Sequence, residues 1–374
     1  MVTFETQQTQ LMALSRRTRL RRLAPRDGVD FSSNDYLGLA GSPRLAAAIE
    51  AASARGIPVG SGGSRLLRGN HEEHERLEAE AAAFFNAERA LFFSSGFAAN
   101  LALFATLPQR GDMIFCDALL HASAHDGMHL SRARKTIVPH NDAAAFDDAI
   151  GLWRRDGGTG TVWIAVESLY GMDGDRAPLE DLLSIADRHD AILIVDEAHA
   201  TGVFGTDGRG LSEALEGREN VIALHTCGKA MGCEGGLVLG ARTVRDFLVN
   251  RGRAFIFSTA PSPLIAAAVR ESLHILADEP QRREDLRALV AAAERSLAPC
   301  GAVPTGSQIL PLIIGNDART MQVAASLRAA GFDVRGIRPP TVPHGTSRLR
   351  ISLTLNVSAG DVAALADALT VALR

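Results

Sequence analysis

Lysine is almost missing from this sequence: of its 39 Lys plus Arg residues, only Lys135 and Lys229 are lysines. Arginine can supply positive charge, but its guanidinium keeps its proton and cannot serve as an amine nucleophile. A lysine retained in an apolar, glycine-flanked loop is therefore a candidate for amine chemistry, and Lys229 sits in TCGKAMG. Lys135 follows Arg132 and Arg134 and reads as part of a solvated basic stretch before a strand. Cysteine is also scarce. Cys116, Cys227, Cys233 and Cys300 have neither CxxC pairing nor even spacing, which leaves a reducing cytoplasm as the expected compartment. No uninterrupted apolar run is long enough for a bilayer, and the N-terminal arginines follow a mixed segment that does not read as a signal peptide. A basic excess is absent as well. The formal net charge of −4 offers no field for a polyanion and argues against nucleic acid as a partner.

What is present is a chain of 374 residues, 46% hydrophobic and 22% charged, long enough for a main domain plus a smaller one. Apolar runs of strand length, at residues 90–93, 113–116, 162–166, 191–195 and 221–224, alternate with amphipathic stretches such as HEEHERLEAEAAAFFNAE and LEDLLSIADRHD. Continuous apolar strands between helices predict a mostly parallel sheet covered on both faces, an α/β doubly wound architecture. Beyond Pro263 a long helical pattern leads to SQILPLIIG, a further helix, RPPTVPHGTSRLRISLT and a terminal helix, the pattern of a small α+β domain. The expected division is an N-terminal segment at 1–41, a large domain at 42–265 and a small C-terminal domain at 266–374. No internal repeat or low-complexity linker interrupts it.

In a parallel sheet ligands sit at the carboxyl ends of the strands, so residues just after the apolar runs carry most weight. After 191–195 come Asp196, Glu197, Ala198 and His199; after 221–224 come His225, Thr226, Cys227, Gly228 and Lys229; after 90–93 come Ser94, Ser95, Gly96 and Phe97. The last of these opens a helix, whose N-terminal N–H groups suit a phosphate, although a Ser-Gly turn there is more often a cap. DEAH resembles a nucleoside-triphosphatase segment, but the phosphate loop such an enzyme needs is not found: Ala223 stands where its first glycine should be. A dinucleotide reading of GSGGSR fails at Arg65. His71 and His74 of HEEH read as a solvated helix face rather than a zinc site, which needs three or four ligands, and no metal is expected. Taken together, a phosphate turn, the ring of His121, an Asp-x-x-His after one strand and a rare lysine after the next suit pyridoxal phosphate. Its phosphate needs a helix N-terminus, its pyridine nitrogen a carboxylate and its aldehyde an amine.

Through these residues the sequence resembles the α-oxoamine synthases, fold-type-I pyridoxal-phosphate enzymes, over nearly its whole length. The matching stretches are FSSNDYLGL from Phe31, GSGGSRLLRGNHEEHERLE from Gly60, SSGFAAN from Ser94, HAS from His121, MDGDRAPL from Met172, VDEAHATGVFG from Val195, TCGKAMG from Thr226, FIFSTAPSP from Phe255 and RPPTVPHGTSRLRISL from Arg338. The resemblance implies that Lys229 binds the cofactor covalently and later moves protons, that Asp196 pairs with the ring nitrogen, and that His199 bonds the ring hydroxyl. It places His121 on the ring face and Gly96, Phe97 and Thr226 near the phosphate, with Ser95 and Glu167 as further cofactor contacts. Ser258 and Thr259 would reach in from a partner subunit, so a homodimer with shared active sites is expected. Asn34 and Arg350 would contact the amino-acid substrate, Arg350 offering its fork to a carboxylate.

The implied reaction joins an amino acid to an acyl thioester with loss of CoA and carbon dioxide, giving an α-amino ketone. RPPTVP and the compact length favour alanine with a pimeloyl thioester, carried by CoA or a carrier protein, as in biotin synthesis. Glycine with acetyl or succinyl groups, serine with a palmitoyl group, and signal-molecule synthesis share the same catalytic set. An aminotransferase and a non-catalytic subunit are rivals, and Lys229 argues against the second. Four positions depart from the family pattern: Gly171, Cys233, Glu234 and Asn356.

Overall fold

The structure, a computed structural model, describes residues 3–23 and 25–374. They form two compact units. The larger comprises Leu37–Tyr170 and Asp175–Arg283; the smaller takes residues up to Tyr36, Gly171–Gly174 and Glu284–Arg374.

Seven strands make the sheet of the larger unit: β1 (Arg89–Phe93), β2 (Met113–Asp117), β3 (Arg134–Val138), β4 (Val162–Glu167), β5 (Ala191–Asp196), β6 (Val221–Thr226) and β7 (Gly236–Gly240). Their spatial order is β1-β7-β6-β5-β4-β2-β3. Every pairing is parallel except those of β7, which runs antiparallel to both β1 and β6. The mostly parallel α/β architecture read from the apolar runs is thus the one observed, and each run extends by one or two residues at its polar end. Two strands lacked a clear signal. β3 is half polar (RKTIV), and β7 (GLVLG) is short and bounded by glycines.

Side-chain alternation gives the sheet two apolar faces. Ile114, Cys116, Trp163, Ala165, Ile194, Ile222 and Leu224 pack with Ala99, Ala102 and Leu103 of a helix at Gly96–Thr106. Met113, Phe115, Val162, Ile164, Leu193, Val195 and Val221 pack on the other face with Phe146, Ile150, Leu182 and Ile185. Burial of each such aliphatic side chain contributes roughly 1.5–3 kcal/mol relative to exposure. Continuing the alternation one step, Glu167, Asp196 and Thr226 at the strand ends fall on the same face as Ala165, Ile194 and Leu224.

Of the helices, α1 (Glu72–Phe84), α2 (Gly96–Thr106), α3 (Ala122–Leu130) and α4 (Pro263–Asp278) bear on the site or its surroundings. The long helical pattern after Pro263 is broken: α4 stops at Asp278 and a new helix runs from Gln281 to Leu297. Pro280 lies between them, where it cannot donate to a preceding carbonyl. The smaller unit has an antiparallel sheet of β8 (Ile309–Gly315), β9 (Arg335–Ile337) and β10 (Ser347–Ser352), with β10 in the middle, and helices α5 (Asp317–Ala329) and α6 (Ala359–Ala372). Its first strand, Val29–Asp30, pairs in parallel with Phe332–Asp333.

Candidate active site

At the end of β1 the chain turns into α2 through Ser95, whose side-chain oxygen accepts from Ala98 N at 3.1 Å. Such a cap stabilises a helix by about 1 kcal/mol, and other N–H groups of the first turn still face outward for an acceptor. The backbone approaches closely here: a Cβ on Gly96 would lie 3.3 Å from Thr226 Oγ1, and one on Gly236 would lie 2.9 Å from Gly96 Cα. The start of α2, the end of β6 and the start of β7 therefore converge. Thr226 Oγ1 also accepts from Gly228 N at 3.4 Å and donates to Gly235 O at 3.3 Å, tying the loop that carries Lys229. Phe97, in the first turn, is exposed.

Asp196 ends β5, paired in register with Glu167 of β4, and both are buried. Its Oδ1 accepts from Ala198 N at 2.9 Å and its Oδ2 from Asn100 Nδ2 at 2.7 Å. The same Asn100 Nδ2 reaches Ser123 Oγ at 3.0 Å, and Ser123 Oγ lies 2.7 Å from His121 Nδ1. A polar chain thus runs from the carboxylate through α2 to His121, the N-cap of α3, whose Nδ1 also accepts from Ser123 N. His121 keeps an exposed ring, yet the protein packed around it disfavours the charged form and lowers its pKa; Asp196 opposes this and Lys229 adds to it. Neighbouring Glu197 has a different place. It is fully buried on the opposite side of the strand end, accepting from Ser168 Oγ, Leu211 N and Ser212 N at 2.6–3.1 Å, and burial raises its pKa.

Lys229 Nζ lies 2.8 Å from His199 Nε2. His199 is buried and Lys229 half-buried, so the amine is held against the imidazole that follows the end of β5. The loop closes with Cys233 N donating to Cys227 O at 2.9 Å, and Glu234 is exposed. Ser258 and Thr259 lie after a short helix and line a separate small hollow with Ser94, Arg65 and Phe255.

Asn34 and Arg350 belong to the smaller unit, where Tyr36 joins them. Its hydroxyl donates to Asn34 Oδ1 at 3.0 Å and accepts from Arg350 Nη2 at 3.2 Å. Arg350, buried in β10, also donates from Nε to Gly171 O at 2.5 Å and from Nη1 to Ser352 Oγ at 2.6 Å. Those bonds use three of its five N–H groups. The departure at Gly171 therefore leaves a backbone contact in place, while Asn356 Nδ2 donates to Asp35 Oδ2 at 3.0 Å.

The sequence reading missed Asn100, Ser123 and Tyr36 as members of these networks. Asn100 and Tyr36 lie inside SSGFAAN and FSSNDYLGL, but nothing in their spacing marks a polar residue that turns inward. The solvated-face reading of HEEH fails for His74, which is wholly buried with Nε2 2.8 Å from Pro261 O. Burial and the charge of Arg65 push it down to about 4. His71 instead caps α1. Among the described residues, no group of three or more His, Cys, Asp or Glu side chains could hold a metal, and no helix is long and apolar enough to cross a membrane.

Residues 26–369 match the family described as aminotransferase class I and II. An 8-amino-7-oxononanoate synthase of Chromobacterium violaceum is 44% identical over 347 residues, covering 91% of this chain and 88% of that protein. A solved structure of SPT with PLP superimposes with a TM-score of 0.87 at 28% identity, covering 93% of this chain and 87% of the other. The 8-amino-7-oxononanoate synthase of Francisella tularensis superimposes with a TM-score of 0.78, also at 28% identity, over 92% of this chain and 98% of that one.

Proposed function

This chain belongs to the aminotransferase class I and II family, and within it to the α-oxoamine synthases, and from that membership we propose that it condenses L-alanine with a pimeloyl thioester to form 8-amino-7-oxononanoate for biotin synthesis. The cofactor is pyridoxal phosphate. The single observation that carries the chemistry is the Lys229 Nζ to His199 Nε2 contact of 2.8 Å, in a loop that starts one strand away from Asp196. The residues fit the group: glycine leaves space at the α2 turn beside Thr226, Asp196 accepts from two neutral donors, and His121 is exposed. When bound, the cofactor supplies an electron sink for the pair released as bonds at the substrate α-carbon break.

In this reading the first turn of α2, with Ser95, Gly96 and Phe97, holds the phosphate together with Thr226, and Glu167 lies against the cofactor. Lys229 Nζ would hold it through its aldehyde. Asp196 would keep a proton on the ring nitrogen, His199 would bond the ring hydroxyl and His121 would cover the ring face. Lys229 Nζ would take the substrate α-proton and later return one; a half-buried amine against an imidazole suits both tasks. Arg350 has two N–H groups left for the amino-acid carboxylate, and Asn34 assists it. The α-carbon attacks the thioester carbonyl, CoA or the carrier thiol leaves, and carbon dioxide departs from the former amino-acid carboxyl.

The homodimer, with Ser258 and Thr259 serving the partner's site, is part of the proposal. So is a cytoplasmic location, consistent with four free cysteines. The test measures thiol release by holoenzyme with glycine, alanine and serine, each against acetyl-, succinyl-, pimeloyl- and palmitoyl-CoA. Preference for alanine with pimeloyl-CoA supports the assignment; another preferred pair moves the pathway. Amino-group transfer to a keto acid without thiol release would replace the synthase reading with an aminotransferase.

A further inference from the structure

β6 has a second side chain row. Val221, Ala223 and His225 face away from α2, and with Leu239 of β7, Phe85 just after α1, and Leu215 they line a cavity of about 350 Å³ within the larger unit. That volume is well above what one water fills and lies in the range of small-molecule sites. None of these residues has a part in the reaction described above.

The cavity has an aromatic wall and one acid without a complete set of partners. The His225 ring stacks on Phe85 at 3.9 Å between centroids, and burial pushes its pKa down to about 3, so it is a neutral surface. Its Nδ1 is already 2.9 Å from Thr201 Oγ1. Glu216 lines the same space with its side chain only 6% exposed. Its Oε2 accepts from Arg209 Nη1 at 2.9 Å, but Oε1 is buried with no hydrogen-bond partner. Arg209 is shared with Glu213, at 2.5 Å, so one cation faces two carboxyls. Burial raises Glu216 to about 8 against the pull of Arg209. Glu219 also lines the cavity, as does Glu88, which is paired with Arg242 at 3.2 Å, and the basic side chain Arg218 is engaged by Asp187 at 2.7 Å.

A buried carboxyl oxygen without a partner is destabilising, and a donor relieves the cost. We propose that this cavity is a binding site for a small aromatic or branched apolar amine, its ring against Phe85 and His225 and its ammonium on Glu216. The site lies on the strand that ends in Thr226 and leads to Lys229, so an occupant packs against the same backbone from the reverse side.

The probe must not react with the cofactor aldehyde, which excludes primary amines. N,N-dimethylbenzylamine cannot condense with an aldehyde, and isobutylbenzene is its uncharged isostere. Titrated into the holoenzyme by calorimetry, the amine binds saturably and about tenfold more tightly than the hydrocarbon. In Glu216→Gln, which leaves Arg209 paired with Glu213, that preference disappears while hydrocarbon binding is retained. Ala223→Phe fills the space and removes binding of both. Absence of saturable binding to the wild type, or equal binding of the two probes with no effect of Glu216→Gln, overturns the proposal. If Ala223→Phe does not fold, the Glu216→Gln comparison alone decides.

Discussion

Single residues carry the sharpest expectations. Lys229→Ala yields a folded protein that binds cofactor without a covalent link, with kcat/KM lowered by about 10³-fold; a normal borohydride-trapped adduct on that variant would sink the assignment. Asn100→Ala leaves Asp196 Oδ2 without its donor, and cofactor affinity falls by about tenfold in a fluorescence titration of the apo-enzyme. An unchanged affinity would mean that Asn100 merely fills space. His140 gives a pH dependence. Burial alone would lower its pKa, but hydrogen bonds to Asp117 at 2.9 Å and Asp175 at 2.7 Å prevail and raise it from 6.5 to about 10. A raised histidine contributes stability that is complete below 6.5 and lost as pH rises through about 10. The wild type therefore loses more thermal stability than His140→Gln over that interval, and parallel melting curves would refute the pairing. The strand-end placement of Lys229, Asp196 and His199 was legible in the sequence because each follows an apolar run; Asn100, whose partner lies on β5, was not, nor was Tyr36, whose hydroxyl links Asn34 to Arg350 of β10.

Elements were read best where a single physical signal dominated. Five apolar runs gave five buried strands, but β3 carries Arg134 and Lys135 on an edge, and β7 is only GLVLG, so neither stood out. Yet β7 sets the approach of α2. Adding a methyl group at Gly236 places it 2.9 Å from Gly96 N, Gly96 Cα and Ser95 O, all backbone atoms that cannot rotate aside. Gly236→Ala is expected to cost about 1–3 kcal/mol in thermal unfolding and also to weaken pyridoxal-phosphate affinity, because the displaced turn is the proposed phosphate site. Reduced stability with undiminished affinity would separate the turn from the phosphate.

At the level of the whole molecule, the proposed assembly has a direct test. Lys229→Ala and Thr259→Ala subunits, each inactive alone, regain activity on mixing if sites are shared, up to about a quarter of wild type for random pairing. Failure to complement, with hybrid dimers verified by mass, would confine each site to one subunit. Within each strand, residue numbers also sort chemistry by parity. Along β5 and β6, even positions lead to Asp196 and Thr226 and odd positions to Glu197 and His225. A one-residue insertion in β5 would exchange the two carboxyls, hiding Asp196 behind the sheet and presenting Glu197, whose own carboxyl burial already disfavours as an anion. The strand would retain its apolar character while losing its reaction, so length in these strands is under stricter constraint than hydrophobicity.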